Sequence, residues 1–223
     1  MSFIVAIDGP AGTGKGTIAK RLSEDLRLIN IDTGAMFRCV ALECIRNSIS
    51  INEISKINEI LKNIDIKIKH IDGEQRIFLN EEDVSNKIRE KDVTELVSPI
   101  SAIKEVRSKL LLLQRKYAND NDIVMEGRDI GTTVFPDADV KIYLDATSEE
   151  RAKRRMKQNI EAGIKTTYEE ALNNILERDK RDSTREIAPL KKADDAILID
   201  STDMTIDEVV NRIEEIIKEK KNA

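Results

Sequence analysis

The sequence has few of the side chains that many catalytic and binding sites require. It contains one histidine, two cysteines and no tryptophan, and aromatic residues make up only 3% of it. A metal site with several histidines is excluded, and a Ser–His–Asp triad would have to use His70, which lies beside the turn-like "IDGEQR" and is expected to be a solvent-facing structural residue. Cys39 and Cys44 fit no zinc or disulfide spacing, which predicts buried, reduced thiols. The scarcity of aromatic rings argues against a surface that stacks single-stranded nucleic acid.

Long apolar runs and excess positive charge are also missing. No apolar run reaches the roughly 18 residues that span a bilayer, and the first residues already have a strand pattern instead of a targeting signal. The formal net charge is −5, so an anionic substrate must be met by local arginines and not by a global basic field. No exposed apolar helix is evident. We therefore expect a cytoplasmic monomer that binds neither membrane nor nucleic acid, folded as one domain with an insertion or lid.

A glycine-rich stretch near the start, "IVAIDGPAGTGKGTIAK", predicts a phosphate-binding loop. Residues 4–7 are typical of a buried strand and residues 18–26 favour a helix, which is the context that a P-loop requires. Glycines let backbone N–H groups approach an anion, and the positive end of the following helix points to the same place. Lys15 can reach the outer phosphates and Thr17 can ligate Mg²⁺. The predicted phosphate-binding residues are Gly9, Pro10, Ala11, Gly12, Thr13, Gly14, Lys15, Gly16 and Thr17.

Strand and helix patterns alternate along much of the remaining chain, which predicts an α/β fold with a central parallel sheet. Further strands are predicted at residues 28–32, 123–126, 141–144 and 196–200, and helices at residues 35–46 and 205–220. The last helix is predicted to present one apolar face formed by Ile206, Val209, Val210, Ile213, Ile216 and Ile217.

One segment breaks this alternation. The stretch "NIDIKIKHIDGEQRIFLN" alternates apolar and polar residues around Asp72-Gly73, which is a hairpin signal and predicts an antiparallel insertion over about residues 62–95. After it, "VSPISAIKEVRSKLLLLQRKYA" predicts one long helix that begins near Ser98, with Pro99 in its first turn.

Charged residues follow two of the predicted strands, at the positions where open α/β sheets bind ligands. "IDTGAMFR" carries Thr33 and Arg38 after a short strand. "MEGRDIGTTVFPDA" places Glu126, Arg128 and Asp129 after a buried strand, where packing gives no reason for three charges. Both segments are therefore candidate substrate-binding loops.

Arginines concentrate again near the carboxyl end of the chain. In "ERDKRDSTREIAPL", Arg178, Asp182 and Arg185 have i, i+4, i+7 spacing and would share one helix face. The alternative is a solvated helix with ordinary charge pairs. Arginine forms forked contacts with phosphate, and one such residue can be worth about 10³–10⁵ in phosphoryl-transfer rate. We therefore interpret about residues 151–188 as a lid that brings arginines over the site and excludes water.

Taken together, these motifs resemble the bacterial cytidylate kinase family along nearly the whole chain. The segments "GPAGTGKGT", "DTGAMFR", "FLNEEDVSNKIR", "EGRDIGTTVFPDA" and "ERDKRDSTREIAPL" occur in the family's order. The resemblance implies a three-layer P-loop kinase with a small antiparallel nucleoside-monophosphate-binding insertion and a helical lid. It implies transfer of the γ-phosphoryl group of ATP to CMP or dCMP with Mg²⁺. The implied divisions are a core of residues 1–34, 96–150 and 189–223, a monophosphate-binding region 35–95 and the lid.

The resemblance also implies roles for individual residues. Lys15 would bridge the donor phosphates, Thr17 would ligate Mg²⁺, and Arg151 and Arg155 would close over ATP. The monophosphate would be contacted by Thr33, Arg38 and Arg128, the cytosine by Ser98, Arg107 and Asp129, and the acceptor's sugar and phosphate by Arg178, Asp182 and Arg185. The catalytic set would be Lys15, Arg128, Arg178 and Arg185.

Two positions depart from the family pattern, and three other functions compete with it. Phe37 stands where the family usually has Tyr, so a hydroxyl is lost, and Thr133 stands where Val is common. The competing functions are a kinase for UMP, AMP or a non-nucleotide acceptor, a P-loop switch, and a nucleic-acid-associated ATPase. The cytosine-reading set argues against a kinase for another acceptor, and the absence of an "NKxD" motif argues against a P-loop switch. The net negative charge argues against a nucleic-acid-associated ATPase.

Overall fold

The computed structural model describes residues 2–71, 74–161 and 163–222. The chain divides into two compact units, Met1–Asn30 with Asp120–Ala223, and Ile31–Asn119, and the boundary falls within the second strand. The elements in chain order are β1 (Ile4–Asp8), α1 (Lys15–Leu26), β2 (Ile29–Asp32), α2 (Thr33–Arg46), α3 (Ile54–Asn63), β3 (Ile66–Ile71), β4 (Glu74–Leu79), β5 (Glu82–Asp83), a 3₁₀ turn (Lys87–Arg89), α4 (Lys91–Ile100), α5 (Lys104–Lys116), β6 (Ile123–Gly127), a π-helical turn (Ile130–Val134), β7 (Val140–Asp145), α6 (Ser148–Glu161), α7 (Tyr168–Thr184), β8 (Ile197–Asp200) and α8 (Ile206–Lys221).

Among the described residues, five strands form a central sheet in the order β2-β6-β1-β7-β8. β1 pairs in parallel with β6 and β7, and β7 pairs in parallel with β8. The strands β1, β6 and β7 therefore end at one edge of the sheet, where ligands bind in folds of this kind. The predicted α/β class with a central parallel sheet is confirmed.

Helices α1 and α8 pack against each other in the first unit. Their apolar side chains share a core with the strands, including Ile18 and Leu22 of α1 and Ile213 of α8. A capping box between Thr205 and Glu208 fixes the start of α8. The predicted apolar face is correct except at its first residue, because Ile206 follows the cap directly and is 50% exposed.

The second unit combines helices with a small antiparallel sheet. β3 pairs with β4 and β4 with β5, both antiparallel, so the predicted hairpin is confirmed, while its turn residues Asp72 and Gly73 lie outside the described residues. Helix α2 packs against α3, α4 and α5. The three antiparallel strands lie within residues 66–83, which is less than the predicted insertion of about residues 62–95. On either side of them, residues 54–63 and 91–100 form helices α3 and α4.

The prediction of one long helix beginning near Ser98 is wrong. Ser98 and Pro99 lie in the last turn of α4, and α5 begins only at Lys104. The buried side chains of Val93, Val97 and Ile100 explain this, since their spacing continues a helix that begins upstream of the proline. Pro99 lacks the N–H that would bond to residue 95, and the chain leaves the helix two residues later.

The predictions made for the two cysteines, the single histidine and the lack of long apolar runs can be compared with the structure. Cys39 and Cys44 are buried free thiols, and burial raises their pKa values to about 12 and about 11. His70 is exposed on β3, as expected. In the part of the chain that the structure describes, no helix is both long and apolar enough to cross a membrane.

Candidate active site

The glycine-rich loop connects β1 to α1 at the carboxyl edge of the sheet. Gly14 is the N-cap of α1 in a left-handed conformation and supplies no side-chain cap, whereas α2 and α7 are capped by the side chains of Asp32 and Thr167. The first N–H groups of α1 are therefore open to an external acceptor, and the helix dipole favours an anion there. Gly9 is required because a Cβ at that position would lie 2.0 Å from the carbonyl oxygen of Leu144.

Lys15 is buried within this loop. Its Nζ donates hydrogen bonds to the carbonyl of Pro10 at 2.7 Å and to Oγ1 of Thr13 at 3.1 Å. Burial, followed by the positive charge of Arg128, lowers the pKa of Lys15 to about 7, although Glu126 opposes the shift. The positive potential around Lys15 favours a polyanionic ligand, which would restore its charge.

The start of α1 carries the hydroxyl of Thr17 and lies beside the carboxylate of Glu126. Thr17 is exposed, and a Cβ built on Gly16 would lie 3.1 Å from Oε1 of Glu126. Among the described residues, no group of three or more His, Cys, Asp or Glu side chains is arranged to hold a metal. A hydroxyl with a nearby carboxylate suits Mg²⁺, which is usually held by one or two protein groups together with substrate phosphates and water.

Asp8, at the end of β1, was not predicted as a site residue. Its carboxylate accepts hydrogen bonds from the backbone N–H groups of Ile130 at 2.8 Å and Gly131 at 2.7 Å. Burial raises the pKa of Asp8 to about 6, although these two hydrogen bonds oppose the shift. The carboxylate therefore fixes the segment directly after Arg128 and Asp129. The sequence signal was available, since a carboxylate at the end of a buried strand needs hydrogen-bond donors.

The predicted arginine cluster forms within the first unit. Arg128 Nε donates to Asp182 Oδ2 at 3.0 Å, and Arg178 Nε lies 3.9 Å from the same oxygen. Arg185 Nη2 donates to Asp129 Oδ1 at 3.1 Å, and the two side chains are only 6% and 7% exposed. Helix α7, its C-cap residue Arg185 and the loop after β6 thus hold three arginines with two carboxylates. The predicted spacing is correct for Arg178 and Asp182, but Arg185 follows the end of the helix with an extended backbone and does not continue its face.

Arg151 and Arg155, the two residues predicted to close over ATP, both lie on α6. The Arg151 side chain is buried, Nε donates to the carbonyl of Ala146 at 2.9 Å, and Nη1 donates to the carbonyl of Ala11 at 3.0 Å and to Asp179. Asp179 Oδ1 in turn accepts from the N–H of Ala11 at 3.1 Å. Arg155 is half-buried on α6. Asp179 was missed, although the doubled "RD" in "ERDKRD" was a signal for it.

The remaining predicted residues lie in the second unit. Thr33 is buried at the start of α2, where Arg38 Nη1 lies 3.6 Å from Asp32 Oδ2. Oγ of Ser98 is buried and has no hydrogen-bond partner among the described residues. A buried hydroxyl of this kind is well suited to bonding a ligand, since unpaired buried polar groups are rare.

Arg107 lies on α5 with its guanidinium 5.5 Å from the ring centre of Phe37. Its Nη1 donates to the carbonyl of Ser101 at 3.1 Å. The aromatic ring at position 37 therefore supports Arg107 through a cation–π contact that does not require the missing hydroxyl.

Comparison with known proteins agrees with the motifs. The family model described as "Cytidylate kinase" matches residues 5–219. A cytidylate kinase of Caldicellulosiruptor saccharolyticus is 50% identical over 95% of this chain and 94% of its own length, and one of Fusobacterium nucleatum is 47% identical over 99% of both. A crystal structure of an uncharacterized protein from Eubacterium ventriosum has a similar fold, with a TM-score of 0.54 at 16% identity, covering 97% of this chain and 99% of its own. The chain belongs to the cytidylate kinase family.

Proposed function

We propose that this chain transfers the γ-phosphoryl group of ATP to CMP or dCMP and releases ADP with CDP or dCDP. The observation that carries the proposal is the buried Lys15, whose pKa is held down by burial and by Arg128 and Arg178. A nucleoside triphosphate supplies the negative charge that such a site favours, and phosphoryl transfer depends mainly on positioning and charge neutralisation. Membership of the cytidylate kinase family supports cytidine nucleotides as the acceptors.

ATP would be held by the loop from Gly9 to Thr17. The N–H groups at the start of α1 would donate to its phosphates, and Lys15 would bridge the outer ones. Thr17 would ligate Mg²⁺, with Glu126 positioned to bind a water of the ion. When bound, Mg²⁺ would neutralise charge on the donor phosphates.

Each proposed acceptor residue is assigned by its own chemistry. Thr33, Arg38 and Arg128 would bind the monophosphate. Arg178, Asp182 and Arg185 would bind the acceptor's sugar and phosphate, and the arginines would also stabilise the transition state.

Cytosine recognition is assigned to Ser98, Arg107 and Asp129. The exocyclic amine of cytosine is a donor, so a carboxylate and a hydroxyl can accept from it, while an arginine can donate to the ring acceptors. Uracil presents a carbonyl in place of the amine and would face Asp129 with one acceptor opposite another. Such a mismatch of polar groups can give large discrimination.

The reaction would be an in-line attack by a phosphate oxygen of CMP. No protein base is needed because this oxygen is already anionic at neutral pH, given a second phosphate pKa of about 6. Lys15 and the arginines would stabilise the charge that develops on the transferring group. About residues 151–188 are proposed to act as a lid over the core, and residues 35–95 as the monophosphate-binding region.

The first experiment is ADP production from Mg·ATP with CMP, dCMP, UMP, AMP, GMP and shikimate as acceptors. If CMP and dCMP lead by about tenfold or more, a gap of about 1.4 kcal/mol in transition-state binding, the proposal stands. If another acceptor leads, the proposed acceptor site is wrong. If no acceptor reacts while ATP still binds, a nucleotide-dependent switch replaces the enzyme. Sedimentation velocity tests the accompanying expectation of a monomer.

A further inference from the structure

The backbone N–H and carbonyl of Ala11, in the phosphate loop, are both held by side chains from later in the sequence. Asp179 Oδ1 accepts from the N–H of Ala11, and Arg151 Nη1 donates to its carbonyl. The second carboxylate oxygen of Asp179 accepts from the same Nη1 of Arg151, which closes the arrangement into a ring. We call Arg151 and Asp179 the Ala11 clasp.

Both clasp residues are fixed by their own surroundings. Arg151 Nε donates to the carbonyl of Ala146, directly after β7, so the guanidinium is held at a second point. Helices α6 and α7 pack together through Ala152, Ala171 and Ile175. The loop fits closely against them, since a Cβ on Gly12 would lie 3.2 Å from Cβ of Arg151.

Because of these contacts, the Arg151 side chain is less available for binding phosphate than an exposed arginine would be. The Arg151 side chain is only 8% exposed and donates to two carbonyls and a carboxylate. The N–H of Ala11 is bonded to Asp179, so phosphate contacts must come from other N–H groups of the loop. The buried Arg151 and the half-buried Asp179 together satisfy both backbone polar groups of Ala11, which fixes the orientation of the two successive peptide groups that meet at this residue.

We propose that Arg151 and Asp179 are positioning residues that set the shape of the ATP-binding loop from α6 and α7. The inference rests on the proposed function only in naming ATP as the ligand. Helices α6 and α7 would thereby determine whether the loop is shaped for phosphate. Loss of the clasp should weaken binding of adenine nucleotides and leave the affinity for CMP unchanged.

The first test measures exchange of the Ala11 amide proton by NMR in the wild-type protein. The clasp predicts a protected amide that loses its protection in Asp179→Ala, which removes the acceptor of the Ala11 N–H. An Ala11 amide that exchanges in the wild type as fast as an open loop amide overturns the proposal, even if the variants fail to fold.

The second test uses Arg151→Lys and Asp179→Asn, with Arg154→Lys as the matched control. Arg154 lies three residues further along α6, but its guanidinium contacts Glu150 and Ser201 and not the loop. Both clasp variants should raise the Kd for ADP and the KM for ATP about tenfold while the KM for CMP changes by less than about twofold. The control should change none of these constants.

The double variant separates positioning from simple stabilisation. If the two residues act as one unit, combining the changes should raise the Kd for ADP no further than either change alone. Variants that melt at a lower temperature but bind ADP normally would reduce the clasp to a structural role and overturn the proposal. Calorimetric ADP binding needs no turnover, so this result stands whether or not CMP proves to be the acceptor.

Discussion

Ion pairs occur both beside the phosphate loop and on the antiparallel sheet, and they differ in burial. Near the loop, the paired side chains of Arg185 and Asp129 are 6% and 7% exposed. On the sheet, Lys67 and Glu81 are 44% and 72% exposed. Exposed pairs contribute little to stability, and buried pairs must overcome a large desolvation cost. Stability alone therefore does not account for the buried pair, which fits its proposed role in ligand binding, whereas the exposed charges are solvated.

The largest expected effect on activity comes from a change at a buried charge near the phosphate loop. Lys15→Ala should lower kcat by about 10³-fold or more, because the donor phosphates lose their closest proposed cation. Lys20→Ala is the matched control, since Lys20 lies on the same helix but is exposed and paired with Glu24. Initial rates with saturating ATP and CMP measure the effect, and a melting curve checks the fold. Near-normal kcat in Lys15→Ala would refute the assigned role.

The next effect concerns specificity. Asp129→Asn should reduce the preference for CMP over UMP, measured as the ratio of kcat/KM values, by about tenfold or more. An amide can donate to the uracil carbonyl as well as accept from the cytosine amine, whereas a carboxylate can only accept. Loss of the pair with Arg185 lowers both rates and cancels in the ratio. Asp137→Asn, an exposed change further along the same loop, is the control, and an unchanged ratio in Asp129→Asn would remove Asp129 from base recognition.

A smaller effect is the uptake of a proton when nucleotide binds. The pKa of Lys15 is lowered from 10.5 to about 7, so at pH 8 the amine is mostly neutral until phosphate restores its charge. Calorimetry of ADP binding in buffers of different ionisation enthalpy should therefore give an uptake of up to about one proton at pH 8 and much less at pH 6. Lys15→Ala should abolish the difference between the two pH values. Equal uptake by both proteins would contradict the lowered pKa.

The same pKa determines how Lys15 affects the stability of the free protein. Between pH 7 and 10.5 the unfolded lysine keeps a proton that the folded one has lost. The unfolded state then binds more protons, so this group makes stability rise with pH across that window.

Local patterns predicted most of the central sheet and the arginine cluster. The strand–glycine–helix order predicted the loop between β1 and α1, and the spacing of Arg178 and Asp182 predicted a shared face of α7, whereas Arg185 lies just beyond the end of that helix. Both signals are local, and neighbouring residues along the chain carry them.

Features that depend on distant contacts could not be predicted in the same way. The hydrogen bonds of Asp8 reach across more than a hundred residues, and those of Asp179 join α7 to Ala11. The helix error near Ser98 has a local cause, because proline is compatible both with a first helical turn and with a last one, and the buried residues upstream decide between them.

The smallest expected effect tests the exposed side of the comparison. Lys67 lies on β3 within 3.0 Å of Asp65 and also pairs with Glu81, and both of its partners are largely exposed. Lys67→Gln should leave kcat, both KM values and the melting temperature at wild-type levels, because water replaces what the pair supplies. Rates and melting curves at low and high salt check this, and a salt-dependent loss of activity would show that charges on the sheet contribute to substrate binding. Asp129→Asn removes one unit of the opposite charge from a buried pair and is expected to lower kcat, so the two variants contrast an exposed ion pair with a buried one.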